Sequence, residues 1–200
     1  AGIGRTSQNF WMFSGTGDYE RLTSKDTNID NLMFGFRDKD YPLFKEYSDP
    51  ITIMHGFEKC MDTTGDTLVV KCPLTTKDVS RIARSKKNLG WYIKLPNSQK
   101  VTAEPTVSSG LVYYPIFEPS ASANQCSLGL ALICAVDDEC GKNVSSQLGN
   151  LKDQKINGEV YVGRTCYAVG QGVLSRLVVF ANKLFANIAG KSVQDKTDLV

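Results

Sequence analysis

Two runs of residues on either side of a proline turn constrain this chain more than anything else in it. Residues 90–95 read Gly-Trp-Tyr-Ile-Lys-Leu, and residues 110–117 read Gly-Leu-Val-Tyr-Tyr-Pro-Ile-Phe. In the first run Trp91, Ile93 and Leu95 alternate with Tyr92 and Lys94, the period of a strand with one buried face. The second is β-branched and aromatic throughout, a composition that fits a pleated, packed surface. Glu104-Pro105 supplies the turn between them, and Pro119 and Cys126 follow. The pair reads as two adjacent strands of an extracellular β-sheet protein.

The rest of the chain repeats that grammar. Candidate strands fall at 9–15, 31–37, 51–55, 67–71, 90–95, 111–117, 128–136, 158–162, 174–180 and 183–189. Gly15, Gly17, Gly65, Pro73, Gly90, Pro96-Asn97, Ser108-Ser109-Gly110, Gly141 and Asn182 separate them at the spacing of an all-β sandwich, barrel or propeller. One short helix is predicted near 76–87, opened by Thr75-Thr76-Lys77-Asp78, with Val79, Ile82 and Ala83 sharing a face. Its cations gather toward the C-terminal end, where the helix dipole favours them. The fold class expected is therefore all-β, mainly antiparallel, with that single helix. Residues 1–190 read as one β-rich domain, and the polar tail 191–200 is expected to fray.

Two hundred residues with 42% apolar content suffice for a real core. A formal charge of +2 argues against nucleic acid as a partner. The densest basic cluster, Arg81, Arg84, Lys86 and Lys87, reads as a solvated helix face. No apolar run is long enough to span a bilayer. The chain opens at Ala1 without an initiator Met, which reads as a mature or processed product or a chosen boundary.

Cysteine usage points outside the cell. Cys60, Cys72, Cys126, Cys134, Cys140 and Cys166 form an even set without a Cys-x-x-Cys pair, and a single histidine cannot complete the usual zinc-finger patterns. Disulfides account for them better. Cys60 and Cys72 flank the turn-like Thr63-Thr64-Gly65-Asp66, and Cys134 and Cys140 flank Asp137-Asp138-Glu139 in the same way, leaving Cys126 and Cys166 as a long-range pair. Other connectivities stay open on sequence grounds.

Catalytic signals are sparse, and no enzymatic activity is expected. His55 is the single histidine, and its setting after Ile51-Thr52-Ile53-Met54 reads as a satisfied strand-end residue. No P-loop, dinucleotide fingerprint or covalent haem motif occurs. Asp26, Asn28 and Asp30 place side-chain oxygens at alternate positions, like the opening of a calcium loop. The sixth position lacks Gly, however, and Arg37 stands where a bidentate Glu would close an EF-hand site. The alternative is a hydrogen-bonded polar loop. Asp137-Asp138-Glu139 reads as a solvated hairpin turn. Asn143-Val144-Ser145 matches a glycosylation sequon of low specificity. Tyr113, Tyr114 and Phe117 form either an adhesive aromatic patch or the core of their strand.

The order of these motifs resembles the C-terminal propeller region of the PilY family of type IV pilus tip and biogenesis proteins. Besides the Gly-Trp-x-x-x-Leu strand, turn, aromatic strand and cysteine already described, Phe10-Trp11-Met12-Phe13-Ser14-Gly15-Thr16-Gly17-Asp18 resembles that family's aromatic strand and Gly-Thr-Gly turn. Residues 32–39, 172–180 and 184–187 resemble the next strand and the closing hairpin. The resemblance implies blade-like sheets and a non-enzymatic role in pilus assembly or adhesion at the cell surface, with calcium at the Asp26 loop, where some members bind it. Alternatives are a structural subunit of a self-assembling extracellular filament or sheath, or a propeller enzyme. A blade takes roughly 40–50 residues and a ring about four to eight blades. The chain is too short to close the family's ring. Its strand 9–15 and hairpin 174–189 are therefore expected to offer edges to other protein, whether the precursor remainder, pilins or copies of itself.

Overall fold

The computed structural model describes residues 1–5, 8–25, 28–38, 41, 62–64, 67–69, 90–96, 98–120, 128–141, 144, 148, 155–156, 159–160 and 166–190. The first half of the chain supplies β1 (Gly2–Ile3), β2 (Phe10–Gly15), β3 (Asn31–Asp38), β4 (Asp62–Thr64), β5 (Thr67–Val69), β6 (Gly90–Leu95) and β7 (Lys100–Val101). The second half supplies β8 (Thr106–Ser108), β9 (Leu111–Glu118), β10 (Leu130–Asp137), β11 (Lys155–Ile156), β12 (Glu159–Val160) and β13 (Cys166–Gln171). Four short strands close the series: β14 (Val173–Leu174), β15 (Val178–Phe180), β16 (Lys183–Phe185) and β17 (Ile188–Ala189). Every pairing among the described residues is antiparallel, and the all-β expectation holds. The segments expected as a helix at 76–87 and as a strand at 51–55, and the tail 191–200, lie outside the described residues.

Two meandering sheets carry the architecture. The first runs β1-β2-β3-β6 and the second runs β13-β10-β9-β7, with β8 also paired to β9. In the first sheet the period-2 pattern decides which side is buried. Trp11, Met33, Trp91, Ile93 and Leu95 face inward, while Lys94 faces solvent. Their counterparts across the layer are Val112, Tyr114 and Ile116 of β9 and Leu132, Cys134 and Val136 of β10, which complete one core. The other face of the second sheet is covered too. Ala131, Ile133, Tyr167 and Val169 pack against Leu174, Leu177 and Leu184 in a second cluster. A sheet buried on both faces needs apolar residues at every position, which is why 111–117 and 130–136 are apolar runs where 90–95 alternates.

Trp91 ties the two sheets together. Its ring meets Tyr114 edge-on at 6.3 Å, and its indole N–H donates to the Asp138 carbonyl at 2.9 Å. Tyr114 reciprocates, its hydroxyl donating to the Phe34 carbonyl of β3 at 2.8 Å. Gly35 stands in register between Phe13 and Trp91. A Cβ there would lie 2.8 Å from both rings, so the absence of a side chain lets the two aromatics close over the backbone.

The outer layer differs from expectation in detail. The strands expected at 174–180 and 183–189 are each broken, into β14 and β15 and into β16 and β17. At the break Ser175 N donates to Asn187 O at 2.8 Å, while its hydroxyl accepts from Asn187 N at 3.1 Å. That substitution of a side chain for a backbone partner interrupts the ladder. Ala181 and Asn182 join Phe180 to Lys183 with both φ angles positive, at 49° and 60°. This is a two-residue turn whose twist matches the strands it joins. β13 was not foreseen, because Cys-Tyr-Ala-Val-Gly-Gln is short, carries a glycine and contains one residue that breaks alternation. Its register shifts between Ala131 and Leu132, opposite Val169.

Removing the Trp91 side chain should cost about 3–5 kcal/mol of stability. Trp91→Phe should cost less, on the order of 1–3 kcal/mol, because it keeps an aromatic ring but deprives the Asp138 carbonyl of its donor. Urea denaturation of the three proteins checks the ranking.

Candidate functional site

A polar pocket of about 370 Å³ opens where the loop between β2 and β3 meets the turn between β6 and β7. The loop is shaped by Asp18. Its Oδ1 accepts the N–H groups of Glu20 at 3.1 Å and Arg21 at 3.2 Å, and its Oδ2 takes Arg21 Nε at 2.7 Å. That bonding holds the carboxyl of Asp18 below its ordinary pKa, with the Arg21 side chain as the main cause. Thr16 anchors the loop's first end by pairing with both sheets: its N–H donates to Leu32 O at 2.8 Å, and its carbonyl accepts from Val101 N at 3.1 Å. On the opposite wall Gln99 N closes a turn onto Pro96 O at 2.9 Å, with Ser98 in the left-handed region at φ 57°.

Lys100 occupies the floor. The residue is 4% exposed, and its ammonium donates to the carbonyls of Leu22 at 2.8 Å and Ser24 at 2.5 Å. Burial pulls its pKa below the usual lysine value, with Asp18 opposing and Arg21 adding to that shift. No carboxylate among the described residues forms an ion pair with it.

The residues singled out for calcium do not all gather here. Asn28 lines the pocket, whereas the Asp30 carboxylate is turned to Lys94 Nζ at 2.7 Å and raises the pKa of that lysine. Asp26 lies outside the described residues, as do His55, Asn143 and Ser145. Among the described residues no group of three His, Cys, Asp or Glu is placed to hold a metal ion.

The acidic turn at 137–139 overturns its sequence reading. Instead of facing solvent, Asp137, Asp138 and Glu139 are all buried. The turn folds inward because Asp138 N donates to Gly110 O at 3.1 Å, and Asp137 Oδ1 accepts the N–H groups of Glu139 and Cys140 at 3.0 Å. Asp138 Oδ1 has no hydrogen-bond partner among the described residues. Burial, followed by Asp137 and Glu139, pushes its pKa up to about 6, against the opposing pull of Arg5.

The disulfide also corrects the spacing argument. Cys134 is bonded to Cys166, its direct cross-strand neighbour in β13, which rules out both the Cys134–Cys140 pairing and the Cys126–Cys166 pairing. β10 runs on to Asp137 before turning, so Cys134 and Cys140 never face one another across a hairpin. Cys140 is buried with its Sγ 3.2 Å from Asp137 Oδ1. Cys60, Cys72 and Cys126 lie outside the described residues. Tyr114 and Phe117 are core residues and Tyr113 is half-buried, so this trio forms its strand's packing rather than an adhesive patch.

An apolar surface appears elsewhere. On the β15–β16 hairpin Val178, Phe180 and Phe185 are 53%, 72% and 43% exposed, with Val178 directly opposite Phe185. Side chains at alternate positions share a face, so these three form one patch. β2, expected to offer an edge, pairs with β3 along its whole length, and among the described residues its other side pairs with β1 at Phe10 and Trp11 alone. Sequence reading missed the patch and the lysine, since neither exposure nor burial follows from residue type alone.

No protein-family model and no curated protein sequence matches the chain. Its fold is similar to the crystal structure of the Pseudomonas aeruginosa PilY1 C-terminal domain, with a TM-score of 0.54 and 13% identity. The similarity covers 95% of this chain and 42% of that one. The described residues contain no helix long and apolar enough to cross a membrane.

Asp138 predicts a specific pH dependence. Its folded pKa lies above the unfolded value of about 3.9, so between those values the folded state binds more protons than the unfolded one. Stability should then fall as pH rises from about 4 to about 6, and level off above. Asp138→Asn should flatten that slope and raise stability at neutral pH, by an amount on the order of 1–2 kcal/mol. Denaturant midpoints across that range decide it.

Proposed function

We propose that this chain is a non-enzymatic extracellular module related to type IV pilus-tip proteins, acting in pilus assembly or adhesion at the cell surface. The observation that carries the reading is the fold shared with the PilY1 C-terminal domain along 95% of the chain. The Cys134–Cys166 disulfide supports it, since such bonds persist in oxidising compartments. The partners proposed are other polypeptides, engaged through the partly covered edge of β2 and the apolar face of the β15–β16 hairpin. They are the remainder of a longer precursor, pilins or copies of this chain. Calcium at Asp26, Asn28 and Asp30 is a separate part of the proposal, and it requires a calcium-dependent rise in melting temperature that Asp30→Ala removes.

A second reading, a subunit of a self-assembling filament or sheath, draws on the same hairpin patch. An exposed apolar surface can seat a neighbouring copy head to tail. Electron microscopy of the purified chain separates the two, because only the second produces a polymer of this chain alone.

The pilus reading predicts that antibody labelling finds the protein on the surface of intact source cells alongside pili, and that deleting its gene lowers surface piliation or adhesion. An intracellular protein whose loss leaves both unchanged would sink it. Phe180→Asp should abolish association with other protein while shifting the melting temperature little, because Phe180 is 72% exposed.

A further inference from the structure

The pocket over Lys100 has the makings of a ligand site that the pilus reading does not explain. An ammonium carries three donors, and Lys100 has two carbonyl acceptors and no carboxylate at ion-pair distance among the described residues. A buried cation in that condition bears a desolvation cost that an incoming anion would relieve. The surrounding charge has the same sense. Among the described residues Arg21 and Lys25 join Lys100 on the pocket wall against one carboxylate, that of Asp18, which is already bonded to Arg21. The remaining wall is neutral and rich in short hydrogen-bonding groups. Ser24, Asn28 and Ser98 offer hydroxyls and an amide, and Ile29 adds one aliphatic surface. A bare phosphate would use the cations alone, whereas a ring bearing hydroxyls and a carboxylate uses every part of this lining. The volume of about 370 Å³ lies at the small end of ligand pockets and accommodates a single sugar ring.

We propose that this pocket binds an acidic sugar, the carboxylate of a uronic-acid residue seated between Lys100 and Arg21 and its hydroxyls directed to Ser24, Asn28 and Ser98. The charge-assisted bonds supply affinity. The hydroxyl contacts discriminate against simple anions, because a site that leaves polar groups unmatched binds the wrong ligand poorly. This assignment is independent of whether the chain belongs to a pilus, since it concerns a site contained in the isolated chain.

The test is a titration of the isotopically labelled chain, followed by amide chemical shifts, with sodium glucuronate, glucose and inorganic phosphate at matched ionic strength. Glucuronate should give saturable shifts confined to residues 18–25, 28–31 and 98–101, with a dissociation constant near about 1 mM or tighter. Glucose and phosphate should bind at least about tenfold more weakly, a difference of roughly 1.4 kcal/mol. Lys100→Met should abolish binding. Because that lysine also braces the loop, Arg21→Gln serves as the second variant. Its side chain is 78% exposed, so the fold survives the change, and affinity should drop several-fold. Glucose matching glucuronate would remove the carboxylate's role, and phosphate matching it would reduce the pocket to a plain anion site. Either result overturns the proposal, as would absent or scattered shifts, or unchanged affinity in Arg21→Gln.

Discussion

The burial of one indole ring between two sheets is the contact on which the remaining structure depends. Trp91 is 1% exposed. It fills the space left by Gly35, stacks edge-on against Tyr114 and donates its N–H to Asp138 O. Gly141 abuts the same ring and has φ +65°, so the chain can turn directly over it. A large aromatic that is both packed and hydrogen-bonded fixes distance and orientation together. Once the two sheets are locked at this point, the register of β3 with β6 and the position of the 137–140 turn follow.

Locking the sheets face to face creates seams, and both seams contain buried charge. At one, Lys100 is carried inward because its strand must pair with β9, and its ammonium reaches two loop carbonyls as compensation. At the other, the acidic turn is drawn under the amino-terminal segment, where Arg5 N approaches Asp138 Oδ2 at 3.4 Å. Both cost solvation energy that a purely structural design would avoid. The first is open to a pocket, so an external anion can provide the missing compensation. The second is enclosed, so its compensation is a proton, which is the origin of its raised pKa.

The outermost layer does two jobs with opposite faces. Leu174, Leu177 and Leu184 seal the second sheet, and Thr102 and Thr106 hang the layer from it by donating to Leu174 O at 3.2 Å and Leu177 O at 2.5 Å. The other face presents Val178, Phe180 and Phe185 outward. A two-stranded hairpin gains little stability by itself. Its outward apolar face is the surface through which the proposed polypeptide partner would dock.

Sequence alone located the strands where alternation or uninterrupted apolar runs were strong, at 9–15, 31–37, 90–95, 111–117 and 128–136, within two residues of their bounds in the structure. It also marked the turns at Ser108-Ser109-Gly110 and Asn182, because backbone period and turn chemistry are local properties. Tertiary structure decided what the residues of those elements meet. Cys134 found Cys166 rather than Cys140, Asp138 and its neighbours went inward rather than out, and Lys100 became the floor of a pocket. The physical reason is common to all three. Solvation and covalent partnership depend on which strands become neighbours and which faces are covered, and those are set by packing between segments far apart in the chain, with Trp91 of β6 reaching the turn after β10.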